Sequence, residues 1–459
     1  GGETDLDLGW YERFLDVNMT KSHYITTGQI YGSVIEKERH GEYLGKCVQI
    51  VPHVTDEIKA RIRLVAEKTK AEAVLMEIGG TTGDIEGLPF LEAIRQLRLE
   101  EGFMNTLFVH VALVPILEVT HEQKTKPLQH SVNELRRIGI QPDIVVARCT
   151  FMVETEVRKK IALFANVEER GVFCSPTINC IYELPLIFDR QEMGDYICQR
   201  IGLPVKEPDW DGWIRTLEGY LKPKNQVKVG LCGKYTKLAD SYVSINEALK
   251  HAGASLQAKV NIDWIETEIF EEDPSKLELL EVYDGVLVPP GFGVRGTEGK
   301  ILAVKYAREH NIPFLGICFG FQMAVVEFAR NVCGLNDANS VENNPNTPHP
   351  VLDYLPEQKN VSRMGGTMRL GAHEIQIQHG TLAHKLYMDD PVRERHRHRF
   401  EVNPEYWRVL EDNGLVFSGK SLDGKRIEIF ELPLNLFHFG TQFHPEFKSR
   451  VSKPSPPYY

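Results

Sequence analysis

Short apolar runs rich in Val, Ile and Leu alternate along this chain with stretches of helical periodicity. In the first part of the chain, Leu88–Gly102 and Pro127–Gly139 have the apolar spacing of amphipathic helices. Buried strands are predicted around these helices at Ala73–Glu77, Thr106–Leu117 and Pro142–Arg148. Because strands that alternate with helices form parallel sheets covered on both faces, the pattern predicts a doubly wound α/β fold.

A proline-rich stretch interrupts this pattern from about residue 202, and it contains one predicted helix, Trp210–Leu221. A second α/β series follows, with strands predicted at Gln226–Lys234, Tyr283–Val288, Ile312–Cys318, Leu415–Ser418 and Ile427–Leu432. A chain of 459 residues is also too long for a single hydrophobic core. We therefore predict a first α/β domain over 1–203, a linker over 204–225, a second α/β domain over 226–450 and an exposed tail over 451–459.

The bulk composition limits the partners and the compartment. A net charge of −11 argues against a nucleic-acid or membrane-surface partner, because anionic phosphates bind to basic faces. The apolar runs are too short to span a bilayer, and no secretory signal opens the sequence. The eight cysteines are scattered without a CxxC pair, which indicates neither a zinc site nor a disulfide framework. The composition predicts a cytoplasmic protein, and it does not exclude the binding of small anionic ligands.

The segment Ile312–Gln322 (IPFLGICFGFQ) has the pattern of a nucleophile elbow. An apolar strand leads into a turn with Cys318 between Gly316 and Gly320, and a helical pattern follows. Glycines suit a turn too crowded for side chains, and a helix N-terminus lowers the pKa of a thiol. A single cysteine is more often an inert core residue, but the flanking glycines favour a catalytic thiol here.

A thiolate nucleophile needs a base and a group that orients the base. The segment Phe437–Phe447 supplies His444, with Glu446 two residues further on. In an extended segment these side chains share a face, so the carboxylate can fix the imidazole tautomer. A histidine in such a segment is usually structural, but next to an elbow it favours a catalytic triad with Cys318. The glycine-rich turn Val288–Gly296 is either an ordinary loop or the source of an oxyanion-hole amide.

These motifs together resemble the class I glutamine amidotransferases. The resemblance implies that Cys318 attacks the carboxamide of glutamine, that His444 transfers protons, and that water hydrolyses the glutamyl thioester. Backbone amides of Gly291 and Phe319 would hold the oxyanion. The resemblance implies glutamine-binding residues at Gly291, Phe319, Gly320, Phe321, Gln322, Glu342 and Arg399. Pro290 stands where the family usually has glycine, and a proline has no amide proton to donate.

Two motifs of the first domain have the composition of a phosphate and metal site. The glycine-rich loop Glu77–Glu86 (EIGGTTGDIE) allows backbone amides to approach phosphates. Glu77 and Asp7 could supply two carboxylates for a Mg²⁺ ion that carries nucleotide phosphates, or they are acidic loop residues. Lys124 and Lys126 precede a helix, where they suit a triphosphate or form a solvated basic turn.

The motifs GGETDLDLG, EIGGTTGDIEGLPFLEAIRQ, KTKPLQHSV and IALFANV resemble the synthetase domain of the CTP synthase family. GGTMRLG (365–371) and RHRHRFEVN (395–403) extend this resemblance into the second domain, so that it covers nearly the whole chain in order. It implies a P-loop, dethiobiotin-synthetase-like first domain and the ATP-dependent amination of UTP to CTP with ammonia from glutamine. It also implies Mg²⁺ as metal, GTP as allosteric activator, and a homotetramer, with filament assembly left open.

The same resemblance implies residues for each ligand. UTP or CTP would be bound by Asp84, Ile85, Glu86, Lys124, Thr125, Lys126, Gln129 and Lys160. Mg²⁺ would be held by Asp7 and Glu77, and GTP by Arg295 and Glu298. Leu128 stands where the family usually has threonine, so a hydroxyl contact is expected to be lost there.

No G-x-x-x-x-G-K-[ST] loop occurs in the sequence, and GLCGKY (230–235) lacks the Ser or Thr that binds Mg²⁺. In the family the ATP phosphate loop lies upstream of GGETDLDLG, so we expect this chain to begin inside its first domain. One alternative is an amidotransferase fused to another phosphate-activating ligase, such as a cobyric-acid-type amidase, and the KTKP and EIGGTTGDIE motifs speak against it. The other is a non-catalytic protein with a dead amidotransferase fold, which would be expected to have lost Cys318, His444 or Glu446.

Overall fold

A computed structural model describes residues 5–117, 119, 122–234, 242–355 and 368–459. The chain forms two compact units, namely Ser22–Asp209, and Trp210–Tyr459 together with the described part of Gly1–Lys21. The first four residues of GGETDLDLG, residues 365–367 of GGTMRLG and Tyr235 lie outside the described residues.

The helices are α1 (Asp7–Leu15), α2 (Thr27–Arg39), α3 (Thr55–Thr69), α4 (Leu88–Glu101), α5 (Lys126–Arg137), α6 (Thr155–Ala165), α7 (Leu184–Asp189), α8 (Met193–Arg200), α9 (Asp211–Leu221), α10 (Val243–Ser255), α11 (Glu268–Glu272), α12 (Thr297–Glu309), α13 (Phe319–Asn331), α14 (Leu382–Tyr387) and α15 (Trp407–Asp412). The strands are β1 (Val109–Leu113), β2 (Ile116–Leu117), β3 (Glu122–Gln123), β4 (Ile144–Cys149), β5 (Val172–Pro176), β6 (Asn225–Gly233), β7 (Ala258–Glu266), β8 (Gly285–Val288), β9 (Phe314–Ile317), β10 (Asn339–Ser340), β11 (Pro350–Tyr354), β12 (Arg369–Ile377), β13 (Val392–His398), β14 (Phe400–Val402), β15 (Val416–Ser421), β16 (Ile427–Glu431) and β17 (His438–Thr441).

The N-terminal unit is built on a parallel sheet in the order β1-β4-β5. Helices α5 and α6 pack against it through a core that includes Leu128, Val145 and Ile161. The predicted helices at Leu88–Gly102 and Pro127–Gly139 are confirmed as α4 and α5. Both end at a glycine with positive φ, 90° at Gly102 and 92° at Gly139, where an L side chain would be strained.

One strand prediction in this unit is wrong. Ala73–Glu77 is neither a strand nor buried, and the Leu75 side chain is 86% exposed. A strand needs a neighbour for its backbone hydrogen bonds, and β1 pairs only with β4 among the described strands. The predicted strand at Thr106–Leu117 exists in part, as β1 and β2, but alternate β1 residues such as Val111 are exposed. The predicted buried strand at Pro142–Arg148 is confirmed as β4.

The C-terminal unit is built on a nine-stranded sheet in the order β13-β12-β15-β16-β17-β9-β8-β6-β7. The strands from β17 to β7 are parallel, and those from β13 to β17 are antiparallel. Helices α12 and α13 cover one face, and α10 lies against the other. The predicted α/β class is therefore confirmed, and the strands predicted in the second series correspond to β6, β8, β9, β15 and β16.

The C-terminal segment is not the exposed tail that its proline-rich sequence predicts. Val451, Ser455 and Pro457 are buried, and a short 3-10 helix runs over Pro456–Tyr458. The Ser455 amide donates to Ser449 Oγ at 3.2 Å, which fixes the turn. The backbone conformation of proline suits a packed segment as well as an exposed one. The proline content of this segment therefore does not predict whether it is exposed. None of the helices in the described part of the chain has the length and apolar content needed to cross a membrane.

Candidate active site

Cys318 lies at a strained turn between β9 and α13. Its φ of 51° and ψ of −99° are unusual for a residue other than glycine, and such strain is typical of a nucleophile elbow. Its amide donates to the Thr441 carbonyl at 2.7 Å, so the turn is fixed to the end of β17. A Cβ atom on Gly320 would collide with the Val288 carbonyl, which is the physical reason for the glycine two residues after the thiol.

His444 and Glu446 form a buried pair just past the end of β17. His444 Nδ1 and Glu446 Oε1 are 2.7 Å apart, and the two side chains are 6% and 3% exposed. The prediction that both residues lie in one extended segment is wrong, because Glu446 belongs to a 3-10 helix over Pro445–Lys448. Proline favours the first position of a helical turn, and this turn brings the carboxylate back to the imidazole.

The electrostatics of this pair suit a base next to a thiol. Burial lowers the pKa of His444, but the Glu446 carboxylate and the Cys318 thiol outweigh burial and raise it to about 10. The hydrogen bond at Nδ1 fixes the tautomer, and Nε2 has no hydrogen-bond partner among the described residues. The thiol itself lies 3.7 Å from the carbonyl oxygen of Arg397 and 3.7 Å from Gln442 Nε2. This arrangement can support a thiolate and an imidazolium side by side.

The loop that follows β8 lies directly beside the elbow. A Cβ atom on Gly291 would be 3.8 Å from the Phe319 ring, so the two residues predicted to supply oxyanion donors are neighbours. The Gly293 amide donates to Glu342 Oε1 at 3.0 Å, and Lys234 donates to the Phe292 carbonyl. Burial raises the pKa of Glu342, which lies against this loop. The structure thus places Gly291 against Phe319, the residue after Cys318, and Glu342 against the same loop.

The remaining predicted glutamine-binding residues differ in what they could offer a ligand. Phe319 and Phe321 are buried in the core, so any ligand contact there would come from their backbone. Gln322 Nε2 donates to the Phe400 carbonyl at 3.0 Å and to Gln442 Oε1 at 3.1 Å. Arg399 is half-buried, and its carbonyl accepts from the Leu355 amide at 2.8 Å. Gln442, which contacts the thiol, lies only two residues before His444 and was missed by the sequence reasoning.

Three predicted nucleotide-binding lysines lie at or near the helices α5 and α6 of the N-terminal unit. Lys124 pairs with Glu122 at 2.6 Å and Lys126 opens α5, whereas Lys160 is exposed on α6. Gln129 Nε2 donates to Thr125 Oγ1 at 2.9 Å, and both side chains are buried.

The predicted glycine-rich loop lies against the C-terminal half of α5, whereas the lysines lie at the start of α5 or on α6. A Cβ atom on Gly83 would be 3.7 Å from Glu134 of α5, and the adjoining Asp84, Ile85 and Glu86 are exposed. Leu128 is fully buried in the core, so residue 128 does not face the surface at which a nucleotide could bind.

The predicted metal and effector residues are placed as follows. Asp7 is exposed at the start of α1 in the C-terminal unit, and Glu77 is exposed in the N-terminal unit. No cluster of three or more potential metal ligands occurs in the ranges that the structure describes. Arg295 lies 3.7 Å from Glu268, and Glu298 pairs with Arg330 at 2.7 Å.

Comparisons with known proteins cover both units. A family model described as CTP synthase N-terminus matches residues 1–203, and one described as glutamine amidotransferase class-I matches residues 237–458. The CTP synthase of Pyrococcus abyssi is 56% identical over 100% of this chain and 85% of its own length. Those of Methanopyrus kandleri and Saccharolobus solfataricus are 55% and 56% identical over 100% of this chain and 86% of their own length. The glutaminase domain of Trypanosoma brucei CTPS, solved with bound acivicin, is 37% identical over 50% of this chain and 90% of that one, with a TM-score of 0.48.

Proposed function

This chain belongs to the CTP synthase family, and we propose that it aminates UTP to CTP at the expense of ATP, with ammonia released from glutamine. The observation that carries the glutaminase half is the buried His444–Glu446 pair beside a thiol in a strained elbow. The synthetase half is supported by the family membership, by the lysines at the start of α5 and on α6, and by the glycine-rich loop against the C-terminal half of α5. The family membership also sets aside the cobyric-acid-type alternative.

The glutaminase step starts from the Cys318 thiolate and the His444 imidazolium. The thiolate attacks the carboxamide carbon of glutamine, and the resulting oxyanion accepts hydrogen bonds from the Gly291 and Phe319 amides. His444 donates its proton to the departing nitrogen, which leaves as ammonia and produces a glutamyl thioester. His444 then removes a proton from water, whose oxygen attacks the thioester carbonyl; the C–S bond breaks, glutamate leaves, and the Cys318 thiolate and His444 imidazolium are restored. Glu446 holds the imidazole in the required tautomer throughout.

In the synthetase step, the γ-phosphoryl group of ATP is transferred to the 4-oxygen of UTP, and ADP is released. Ammonia then adds at C4, and phosphate leaves to give CTP. We propose that the half-buried Lys124 and the exposed Lys126 and Lys160 bind the triphosphate of UTP, with Asp84–Glu86 close to the pyrimidine nucleotide. Thr125 and Gln129 would support this site through their mutual hydrogen bond.

Carboxylates are the ligand class that Mg²⁺ prefers, and both Asp7 and Glu77 are exposed. We propose Asp7 and Glu77 as Mg²⁺ ligands, and a bound Mg²⁺ would neutralise nucleotide phosphates. Gly320, Phe321, Gln322, Glu342 and Arg399 would complete the glutamine site, and Arg295 with Glu298 would bind GTP as activator. We further propose a synthetase domain over 1–203, a linker over 204–225, an amidotransferase domain over 226–450 with the segment 451–459 packed behind it, and a cytoplasmic homotetramer.

The decisive test is CTP formation from UTP, ATP, Mg²⁺ and GTP with either glutamine or ammonium chloride. Cys318→Ser should abolish synthesis from glutamine and preserve synthesis from ammonia, because only the first needs the thiol. Cys333→Ser is the matched control, since this half-buried cysteine follows the same helix away from the elbow. Failure of the parent protein to use ammonia would refute the synthetase assignment, and full glutamine-dependent activity of Cys318→Ser would refute the thiol mechanism.

A further inference from the structure

Helix α1 and the residues that follow it are bound to the C-terminal unit by two arginines. Arg395 Nη1 and Nη2 donate to Glu12 Oε2 and Oε1 at 2.7 and 2.5 Å. Arg450 Nη2 donates to the Val17 carbonyl and to Asn18 Oδ1, each at 3.0 Å. Glu12 also accepts from the Met19 amide at 2.6 Å, so the same carboxylate folds the chain back after α1. This N-terminal stretch is therefore a built part of the unit that holds Cys318.

The Glu12–Arg395 pair can hold helix α1 and strand β13 in a fixed geometry. Glu12 is 4% exposed and receives both arms of the guanidinium, which is the strongest and most directional form of an ion pair. The two residues are 383 positions apart in the sequence. Replacing Arg395 would leave the buried Glu12 carboxylate without its two-armed partner, which costs more than the pair contributes when intact.

Arg395 connects this pair to the catalytic histidine. Its side chain binds Glu12, and its backbone carbonyl accepts from the His444 amide at 2.8 Å. Two residues further along β13, the Arg397 carbonyl lies 3.7 Å from Cys318 Sγ. Successive alternate carbonyls of one strand therefore contact the base and the nucleophile.

The position of β13 in the sheet explains why it needs an anchor. Among the described strands β13 pairs only with β12, so it is the edge strand of the nine-stranded sheet. Its open edge binds catalytic residues instead of another strand. Lys448 donates to the Arg393 carbonyl and the His444 amide donates to the Arg395 carbonyl. Cys318 Sγ lies against the Arg397 carbonyl. An edge strand held on one side can shift more easily than a central one.

We propose that Glu12 is a positioning residue of the glutaminase. By holding Arg395 it fixes the open edge of β13 where that edge meets His444 and Cys318, so glutamine hydrolysis depends on helix α1. This inference rests on the proposed catalytic roles of His444 and Cys318. The pair also joins the helix that starts at Asp7, a proposed Mg²⁺ ligand, to the glutaminase site.

The test compares Glu12→Gln with the parent chain in steady-state glutamine hydrolysis. We expect kcat to fall about tenfold with KM within about twofold, because a small displacement of the catalytic pair slows chemistry more than binding. The rate of Cys318 alkylation by iodoacetamide at a fixed pH should fall, since a displaced imidazolium stabilises the thiolate less well. Glu374→Gln is the matched control, because this exposed carboxylate lies on β12 opposite Arg393.

A double-mutant cycle separates positioning from general damage. Arg395→Met should reproduce the loss in kcat, and the double variant should be no slower than the slower single variant, because both changes break one interaction. Arg395→Lys keeps the positive charge next to Glu12 but cannot donate two parallel hydrogen bonds to its carboxylate. This variant should therefore retain only part of the activity.

An unchanged kcat and an unchanged alkylation rate in Glu12→Gln, or effects of the two single variants that multiply, would overturn the inference. A failure of the proposed function would look different. The parent chain would then not hydrolyse glutamine, or Cys318→Ser would hydrolyse it as fast as the parent.

Discussion

Lys300 places an ammonium group in the core of the C-terminal unit. Its side chain is fully buried in α12, and Nζ has no hydrogen-bond partner among the described residues. It lies 4.8 Å from the centre of the Phe319 ring and one turn from the N-terminus of its helix, where the helix dipole disfavours a cation. The groups that act on it electrostatically are Lys234, Cys232, Glu342 and Glu271. We therefore predict that Lys300→Met stabilises the protein.

The size of the effect follows from the pKa. Burial, with a smaller contribution from Lys234, lowers the pKa of Lys300 from 10.5 to about 7. At 1.36 kcal/mol per pH unit, this shift destabilises the fold by about 5 kcal/mol below pH 7. Because the folded-state pKa is the lower one, the unfolded chain binds an additional proton between pH 7 and 10.5. The free energy of unfolding therefore rises with pH through that window, and the penalty vanishes above it.

Lys300→Met removes the titrating group and keeps the length of the side chain. We expect the free energy of unfolding to increase by about 4 kcal/mol at pH 7.5 and by about 1 kcal/mol at pH 9.5. Urea unfolding of both proteins at four pH values between 7 and 10 measures the difference, in which other titrating groups cancel. Lys305→Met is the control, since that lysine lies on the same helix and is partly exposed. A variant no more stable than the parent at pH 7.5, or a difference that does not shrink with pH, would refute the reasoning.

Two other substitutions test the proposed sites. Glu446→Gln removes the charge that keeps the pKa of His444 high. The alkaline limb of the pH profile of glutamine hydrolysis should therefore move to lower pH, and kcat should fall about 10- to 100-fold. An alkaline limb that does not move would contradict this role of Glu446. Leu128→Thr should lower the free energy of unfolding by about 1–3 kcal/mol, because residue 128 is in the core. The KM for UTP should stay unchanged. A lower KM for UTP would show that residue 128 faces the nucleotide.

The amidotransferase fold and its thiol could be predicted from sequence because local constraints specify them. Strands such as β8 and β9 are buried on both faces and so read as continuous apolar runs. The elbow is specified by glycines whose replacement would cause a collision, as at Gly320. In contrast, β13 was not predicted. Its buried face carries Glu394, His396 and His398, which are residues that a hydropathy pattern assigns to the surface.

The failures in the N-terminal unit have a different physical cause. An apolar run such as Ala73–Glu77 has the composition of a strand, but composition does not supply the neighbouring strand that would bind its backbone. The same limit applies to β1, whose apolar side chains Val109, Val111 and Leu113 are exposed although the sequence predicts them to be buried. Burial is a property of the surroundings, which a local pattern can only anticipate.

Buried charges extend this argument to the functional site itself. His396 Nε2 lies 2.8 Å from Glu428, whose other carboxylate oxygen accepts from Arg369 at 2.8 Å. His396 belongs to β13, the strand whose Arg397 carbonyl contacts the thiol. Burial lowers the pKa of His396 while the Glu428 carboxylate opposes that effect. Each of these groups would be unfavourable in the core without its partner, and each partner is distant in sequence. A motif can therefore suggest the nucleophile and the base, whereas the charged pairs next to them become visible only when the chain is folded.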